Sequence, residues 1–278
     1  MQFVLFTDNL ADLNIREVCR SVKKAGFDGL DLTLRQGGHV LPENAERGLA
    51  AAHETADQEG VTIPMVSTGI TAADDPFAES VIAAAHFRIR SFKLGYWRYQ
   101  PFGNLTKQLD EARRKLEGIV ALTRRYHVRP CLHAHSGPIL SNGPLLYLLL
   151  KDFSPDDVGA YVDPMHMTLE GGLNGWEMGL DLLAPWLALV GLKNFRWLEA
   201  GRDSHGQMRF RYQHVPLADG QAPLPEFMGY LKQLKYDGVV SFHSEYRGGT
   251  SWRQLTTAEL LAQSAKDLTY LKSVFSVA

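Results

Sequence analysis

The stretch CLHAHSGP, residues 131–138, closes an apolar run with two histidines two positions apart, His133 and His135. Alternate side chains of an extended strand share a face, so the two imidazoles project together. Placed that way they could ligate a metal, move protons, or simply finish a strand. Three later stretches have the same character: VGAYVDPMH carries Asp163 and His166, VGLKN carries Lys193 and Asn194, and SFHSE carries His243 and Glu245. Each has a plain structural counterpart. A strand-end histidine can be hydrogen-bonded locally, Asp163 before Pro164 can cap a turn, and Glu245 can pair with Arg247 at the surface. Strand ends with only structural work pass more often into Gly, Pro, Ser or Asn turns. Four apolar runs in succession that end in titratable groups therefore favour a pocket.

Strand-like and helix-like segments alternate along the chain and must position these groups. Strands are expected at 2–7, 27–33, 61–68, 89–95, 128–135, 158–163, 187–194 and 238–245. Helical segments are expected near 13–25, 42–60, 77–86, 105–126, 144–151, 176–183, 225–235 and 256–275. Leu105, Leu109, Ala112, Leu116, Ile119 and Val120 recur at helical spacing. Gly60 is placed to stop the second helix, and Thr256 with Glu259 to form a capping box on the last. Eight such alternations predict a single α/β domain over 1–278, a (β/α)8 TIM barrel, with a doubly wound open sheet as the competitor. In such a barrel chemistry gathers at the carboxyl ends of the strands, where the polar residues above fall. The segment from Trp197 to Pro223 is expected to be a long active-site loop.

Charge limits the partners. The 29 basic and 31 acidic residues leave a net charge of -2 without a block of either sign, which argues against an electrostatic grip on nucleic acid. The two cysteines, Cys19 and Cys131, sit in apolar surroundings and read as buried free thiols. The opening MQFVLFTDNL reads as a first strand, not an export signal, and no later run approaches a membrane span; a cytoplasmic protein is expected. TLRQGGHV adds Arg35 and His39 around a glycine pair. Arg suits a carboxylate or phosphate, and the glycines allow a tight turn or close approach. Trp97, Arg98 and Tyr99 follow the fourth strand, and Arg196 and Trp197 the seventh. Arg35, His39, Trp97, Arg98, Asn194 and Trp197 are the candidate substrate contacts, although an exposed arginine or a barrel-rim aromatic would look the same.

At LHAHSG, VGAYVDPMH, VGLKNFRW and GVVSFHSEY the chain resembles the xylose-isomerase-like TIM barrels, the group of sugar isomerases and epimerases that also contains endonuclease IV. GLDLTLRQGGHVLPE, residues 29–43, is similar to a bacterial subgroup described generically as sugar phosphate isomerase/epimerase-like. The resemblance covers nearly the whole chain and implies the barrel. It also implies a divalent metal held by Glu, Asp, His and Glu on strands five to eight. Here His133 stands for the first Glu, Asp163 matches the Asp, and Gly191 stands where the His is expected. His243 takes the last Glu's place, with Glu245 two residues on, and Asn194 replaces an Asp that follows the His. A surviving set of His133, Asp163 and His243 would suit Mn, Zn, Fe or Co better than Mg. The metal-free picture is an imidazole-rich pocket of His133, His135, His166 and His243 with Lys193 as its cation. No nucleotide cofactor is expected.

The family's reactions share the removal of a proton beside a carbonyl, which needs a base in reach and a cation or donors for the enolate oxygen. Glu245 or His135 is the expected base and His166 a second acid–base group. The metal, or Lys193 without one, would polarise the oxygen. A sugar isomerase, epimerase or carbon–oxygen lyase acting on a small carbohydrate, sugar acid or sugar phosphate is the leading expectation. A non-catalytic sugar-binding barrel that lost its metal site is the alternative, with a metal-dependent hydrolase or endonuclease behind it. Related barrels often dimerise, so a homodimer is one assembly open to the chain, although no self-complementary patch can be read in the sequence.

Overall fold

A computed structural model describes Met1–Val277. Eight parallel strands close into a barrel: β1 (Gln2–Phe6), β2 (Gly29–Leu34), β3 (Thr62–Thr68), β4 (Ser91–Lys93), β5 (Arg129–His133), β6 (Gly159–Val162), β7 (Leu187–Leu192) and β10 (Val239–Phe242). The order around the barrel follows the chain, with β1 pairing β10 to close it. Helices α1 (Ile15–Lys24), α2 (Ala45–Glu59), α3 (Ala78–His86), α4 (Leu105–Arg124), α5 (Gly143–Leu150), α6 (Pro164–Leu183), α7 (Leu224–Gln233) and α8 (Thr257–Val277) form the outer ring. This is the single (β/α)8 TIM barrel expected from the alternation, not the open sheet.

Local chemistry sets the helix ends. Asn14 and Glu17 form a reciprocal capping box on α1, and Thr256 with Glu259 does the same for α8. Gly60 ends α2 in the left-handed conformation at φ 70°, where a side chain would be strained. Asp163 caps α6: one carboxylate oxygen, Oδ1, accepts from the backbone of Met165 at 2.9 Å and of His166 at 3.3 Å. That helix starts well before the expected 176–183 and kinks at Gly172.

The barrel wall carries two cores. Leu30, Leu32 and Leu34 of β2 pack outward under the helices, whereas Asp31 and Thr33 between them are fully buried on the inner side. Inside the barrel, Met65, Cys131, Tyr161 and Leu189 form an apolar plug below the polar strand ends. Both cysteines are free and buried, as expected. The segment after β7 differs from the expected loop. It is an antiparallel hairpin, β8 (Asn194–Arg202) with β9 (Met208–Val215), standing outside the barrel sheet. Its period-two signal is weak because both faces toward the tip meet solvent. Among the described residues no helix is long and apolar enough to cross a membrane.

Candidate active site

The barrel brings together most of the predicted catalytic residues at one mouth. Lys193 follows β7 and is buried, while Glu245 follows β10 and its side chain remains 30% exposed. Their charged atoms are 2.7 Å apart. Burial would raise the Glu245 carboxyl, but the Lys193 charge, then His214 and His243, reverse this and hold it at about 2. Glu245 is therefore a carboxylate at any ordinary pH. It does not pair with Arg247, which bonds the Leu255 carbonyl and Asp12 instead.

The imidazoles line the opposite side. The rings of His135 and His166 are tilted by 42° with centroids 3.7 Å apart, and His133 lies edge-on to His135 at 5.3 Å. Hydrogen bonds assign their protons. Nδ1 of His135 donates to the Ser136 carbonyl at 2.8 Å, which leaves Nε2 bare. Nδ1 of His166 accepts from the Ser136 amide at 3.3 Å, which puts its proton on Nε2. Burial, reinforced by Lys193, lowers His135 to about 3. Burial likewise drives His133, His166 and His243 well below the usual imidazole range, so all four are neutral at pH 7.

Asp163 lies at the centre with one oxygen in the α6 cap. The other, Oδ2, has no hydrogen-bond partner, and neither do Nε2 of His133 and Nε2 of His166. Oδ2 stands 3.5 Å from His133 and 3.8 Å from His166. Burial pushes the Asp163 carboxyl up to about 7 despite Lys193 and the backbone donors.

Five groups that sequence reasoning passed over complete the mouth. The Tyr96 hydroxyl hydrogen-bonds with His133 Nδ1 at 2.9 Å, and the Tyr161 hydroxyl with His243 Nε2 at 2.8 Å. Tyr161 also stacks on His133 with centroids 4.2 Å apart. Asp31, pushed up by burial to about 6, accepts from Ser67 and Ser241, each at 2.8 Å. Lys93 is buried at the end of β4. His214, from the hairpin, stands 3.4 Å from Glu245 Oε2. Period-two spacing could have shown Tyr161 and Asp163 sharing a face, and Asp31 alternating with leucines. Nothing local marked His214, because the hairpin was expected to be a loop.

The predicted substrate contacts divide. Trp97 flanks Tyr96 beside the mouth, with its indole N–H donating to the Thr71 carbonyl at 3.0 Å, and Arg98 is exposed next to it. Arg35 pairs with Asp8 at 2.5 Å near the first strand's end. His39 has both ring nitrogens engaged, with Thr33 and with the Leu10 carbonyl, each at 3.2 Å. Asn194 is buried, and its amide braces the hairpin by donating to the Leu217 carbonyl at 2.8 Å and accepting from Ala222 at 2.8 Å and Phe195 at 2.9 Å. Neither His39 nor Asn194 has a free polar atom to offer a ligand. Trp197 is 46% exposed on the hairpin, packed edge-on to Phe195 and Tyr212. A cavity of about 580 Å³ between α6 and α7, lined by Glu177, Asp181 and Tyr230, opens on the outer helical ring and holds none of the site groups named above.

The pattern that describes the xylose isomerase-like TIM barrel matches residues 19–273. The chain belongs to that family. Among solved barrels of similar shape, a D-psicose 3-epimerase crystallised in the presence of D-fructose has a TM-score of 0.75 at 17% identity, covering 99% of each chain. A xylose isomerase-like barrel from Mycobacterium smegmatis in complex with magnesium scores 0.72 at 16% identity, covering 99% of this chain and 97% of that one. The probable 3-DHS dehydratase AsbF of Bacillus anthracis scores 0.69 at 16%, covering 97% of this chain and 99% of that one. At such identities the likeness establishes the fold. No curated protein sequence matches the chain.

The family's metal can be tested against this barrel's own donors. His133 and Asp163 face each other, but Nε2 of His243 is taken by Tyr161 and stands 3.8 Å from Asp31. Its Nδ1 faces Glu245, 4.0 Å away. At Gly191, where the family's histidine is expected, a Cβ would already meet the Tyr161 ring at 3.1 Å and Asp163 Oδ2 at 3.4 Å. His133 Nε2 and Asp163 Oδ2, 3.5 Å apart, have a separation two ligands of one ion could share, but two donors alone do not make such a site. Among the described residues no three His, Cys, Asp or Glu side chains are arranged to hold a metal ion. As arranged, the donor set does not fit the family's metal.

Proposed function

We propose that this barrel removes a proton from the carbon beside the carbonyl of a small carbohydrate, as a ketose epimerase, an isomerase or a carbon–oxygen lyase. The observation that carries the reading is the Lys193–Glu245 pair, 2.7 Å apart, with the ammonium buried and the carboxylate reaching the mouth. A substrate carbonyl entering between them meets Lys193 through its oxygen and Glu245 through its adjacent C–H. Glu245 takes the proton, the C–H electrons form the enediolate, and Lys193 stabilises the oxygen as negative charge builds on it. The partner released from Glu245 strengthens the base, because the Lys193 charge holds its pKa down in the free enzyme. His135, with a bare Nε2, and His166, with a proton on Nε2, supply a second acceptor and a donor across the mouth. Return of the proton to the opposite face gives the epimer, return to the neighbouring carbon gives the isomer, and loss of a β-hydroxyl gives the lyase product.

Small sugars, sugar acids and sugar phosphates are the substrate class, and D-fructose and D-tagatose, which stand with solved relatives, are the first to try. The test is exchange of substrate C–H for deuterium in heavy water, followed by NMR on a panel of ketoses. Exchange that falls by about 10²–10⁴ in Glu245→Gln supports the reading. Exchange unchanged in that variant sinks the assignment. Sugar binding without exchange across the panel would favour a non-catalytic sugar-binding barrel.

A further inference from the structure

Lys93 has no part in the chemistry above, yet it is the mouth's most unusual group. It is 3% exposed. Its Nζ donates to the carbonyl of the next residue, Leu94, at 2.9 Å and lies 3.7 Å from the centre of the Tyr96 ring. Among the described residues it forms no salt bridge. A buried ammonium needs a counter-ion or several acceptors, and one carbonyl with one aromatic face leaves it under-satisfied. The neutral amine, by contrast, is at ease there. Burial, then Arg35 and Lys193, outweigh the opposing charges of Asp31 and Asp8 and bring Lys93 to about 7. Desolvation beside other cations is how an amine becomes a nucleophile toward carbonyls.

We infer that Lys93 forms an iminium with the carbonyl of the substrate, an inference that rests on the proton-abstraction reading above. The amine lone pair adds to the carbonyl carbon, a C–N bond forms, and the π pair moves to oxygen. Nitrogen gives up a proton, the carbinol oxygen is protonated and leaves as water, and the iminium remains. Amine, ketone and one proton thus give iminium and water. The leaving oxygen takes one proton from the nitrogen and one from solvent at the mouth, while the Tyr96 ring covers Nζ on one side. The cationic C=N then acidifies the neighbouring C–H for Glu245, and the C–H electrons form an enamine. Reprotonation and addition of water break the C–N bond and free Lys93. The iminium does for the carbonyl what a divalent metal does elsewhere in the family, in a barrel whose donors are not arranged for one.

The experiment uses the intact protein with dihydroxyacetone as probe and cyanoborohydride as trap at pH 7, followed by intact mass and peptide mapping. The expected result is one adduct per chain on the Lys93 peptide, formed at least about tenfold faster than on exposed Lys107, as an amine depressed from its usual pKa should show. No variant is needed, so a folding defect cannot obscure it. Labelling spread evenly over surface lysines overturns the inference. Deuterium exchange into dihydroxyacetone without a Lys93 adduct overturns it too, and leaves proton abstraction by Glu245 standing. An adduct on Lys93 without exchange supports the amine chemistry and sinks the role given to Glu245.

Discussion

The hydroxyl of Tyr161 lies 2.8 Å from Nε2 of His243 and engages that nitrogen in a hydrogen bond. Tyr161 sits two residues before Asp163 on the same strand face, so its ring fills the space between His133 and His243.

Protein purified without chelator or metal-affinity resin is accordingly expected to contain well under one divalent ion per chain by elemental analysis. Near-stoichiometric Mn, Fe, Co or Zn that disappears in Asp163→Ala would show that Tyr161 and His243 rearrange around an ion, and would return the chemistry to a metal.

Lys193→Met removes the cation beside Glu245. The carboxylate keeps partial access to water, so the stability loss should be modest, about 1–3 kcal/mol, below what a fully buried pair would cost. Proton exchange should fall by about 10² or more if the enolate oxygen carries the developing charge, because its stabilisation is lost in the transition state, and far less if the Lys93 iminium carries it. Urea melts and exchange rates measured together check this; equal losses of stability and of nothing else would make the pair purely structural.

Asn194→Ala tests the brace. Its amide satisfies the Leu217 carbonyl and the Ala222 and Phe195 amides at the root of the hairpin. Buried groups left unpaired cost about 1–3 kcal/mol each. Hydrogen exchange should quicken in β8 and β9 before the rest of the barrel. A raised KM with hairpin protection intact would restore Asn194 as a substrate contact.

Acid should unfold the chain early. His133, His135, His166 and His243 all have folded pKa values depressed by burial. The unfolded chain binds their protons below about 6.5, so the stability they contribute is present above that pH and is lost as pH falls. Asp31 and Asp163, raised to about 6 and about 7, work the other way. Their contribution is full below the unfolded value of 3.8 and fades as pH rises through 6 to 7. With more buried histidines than raised aspartates at the mouth, chemical melts should show stability dropping between pH 6.5 and 4. A flat profile would mean that the imidazoles charge inside the folded barrel.

Much of this was legible in one dimension. Alternating apolar runs and amphipathic stretches are imposed by burying one face of each helix under a strand, so the number and order of elements could be read directly. The capping pair Thr256 and Glu259 could be read too, because helix ends leave orphan donors that nearby side chains must satisfy. Period-two spacing put His133 and His135 toward one mouth, and the strand-end rule gathered Asp163, Lys193, His243 and Glu245 with them.

Distances across the barrel could not be read. Whether His243 faces Asp163 or Tyr161 depends on side chains from β6 and β10 that are 82 residues apart in sequence and meet only after closure. Asn194 looks the same in sequence whether it binds a sugar or holds a hairpin, since the amide serves either partner. Lys93 and Tyr96 carried no local mark, because a lysine becomes unusual only once folding strips it of water and leaves it without a salt bridge among the described residues. The sequence by itself determined the barrel and which residues crowd its mouth, because burial periodicity is a local property of the chain. Tertiary structure alone decided which atoms pair there and which lose their water, because pairing and desolvation are properties of the closed barrel.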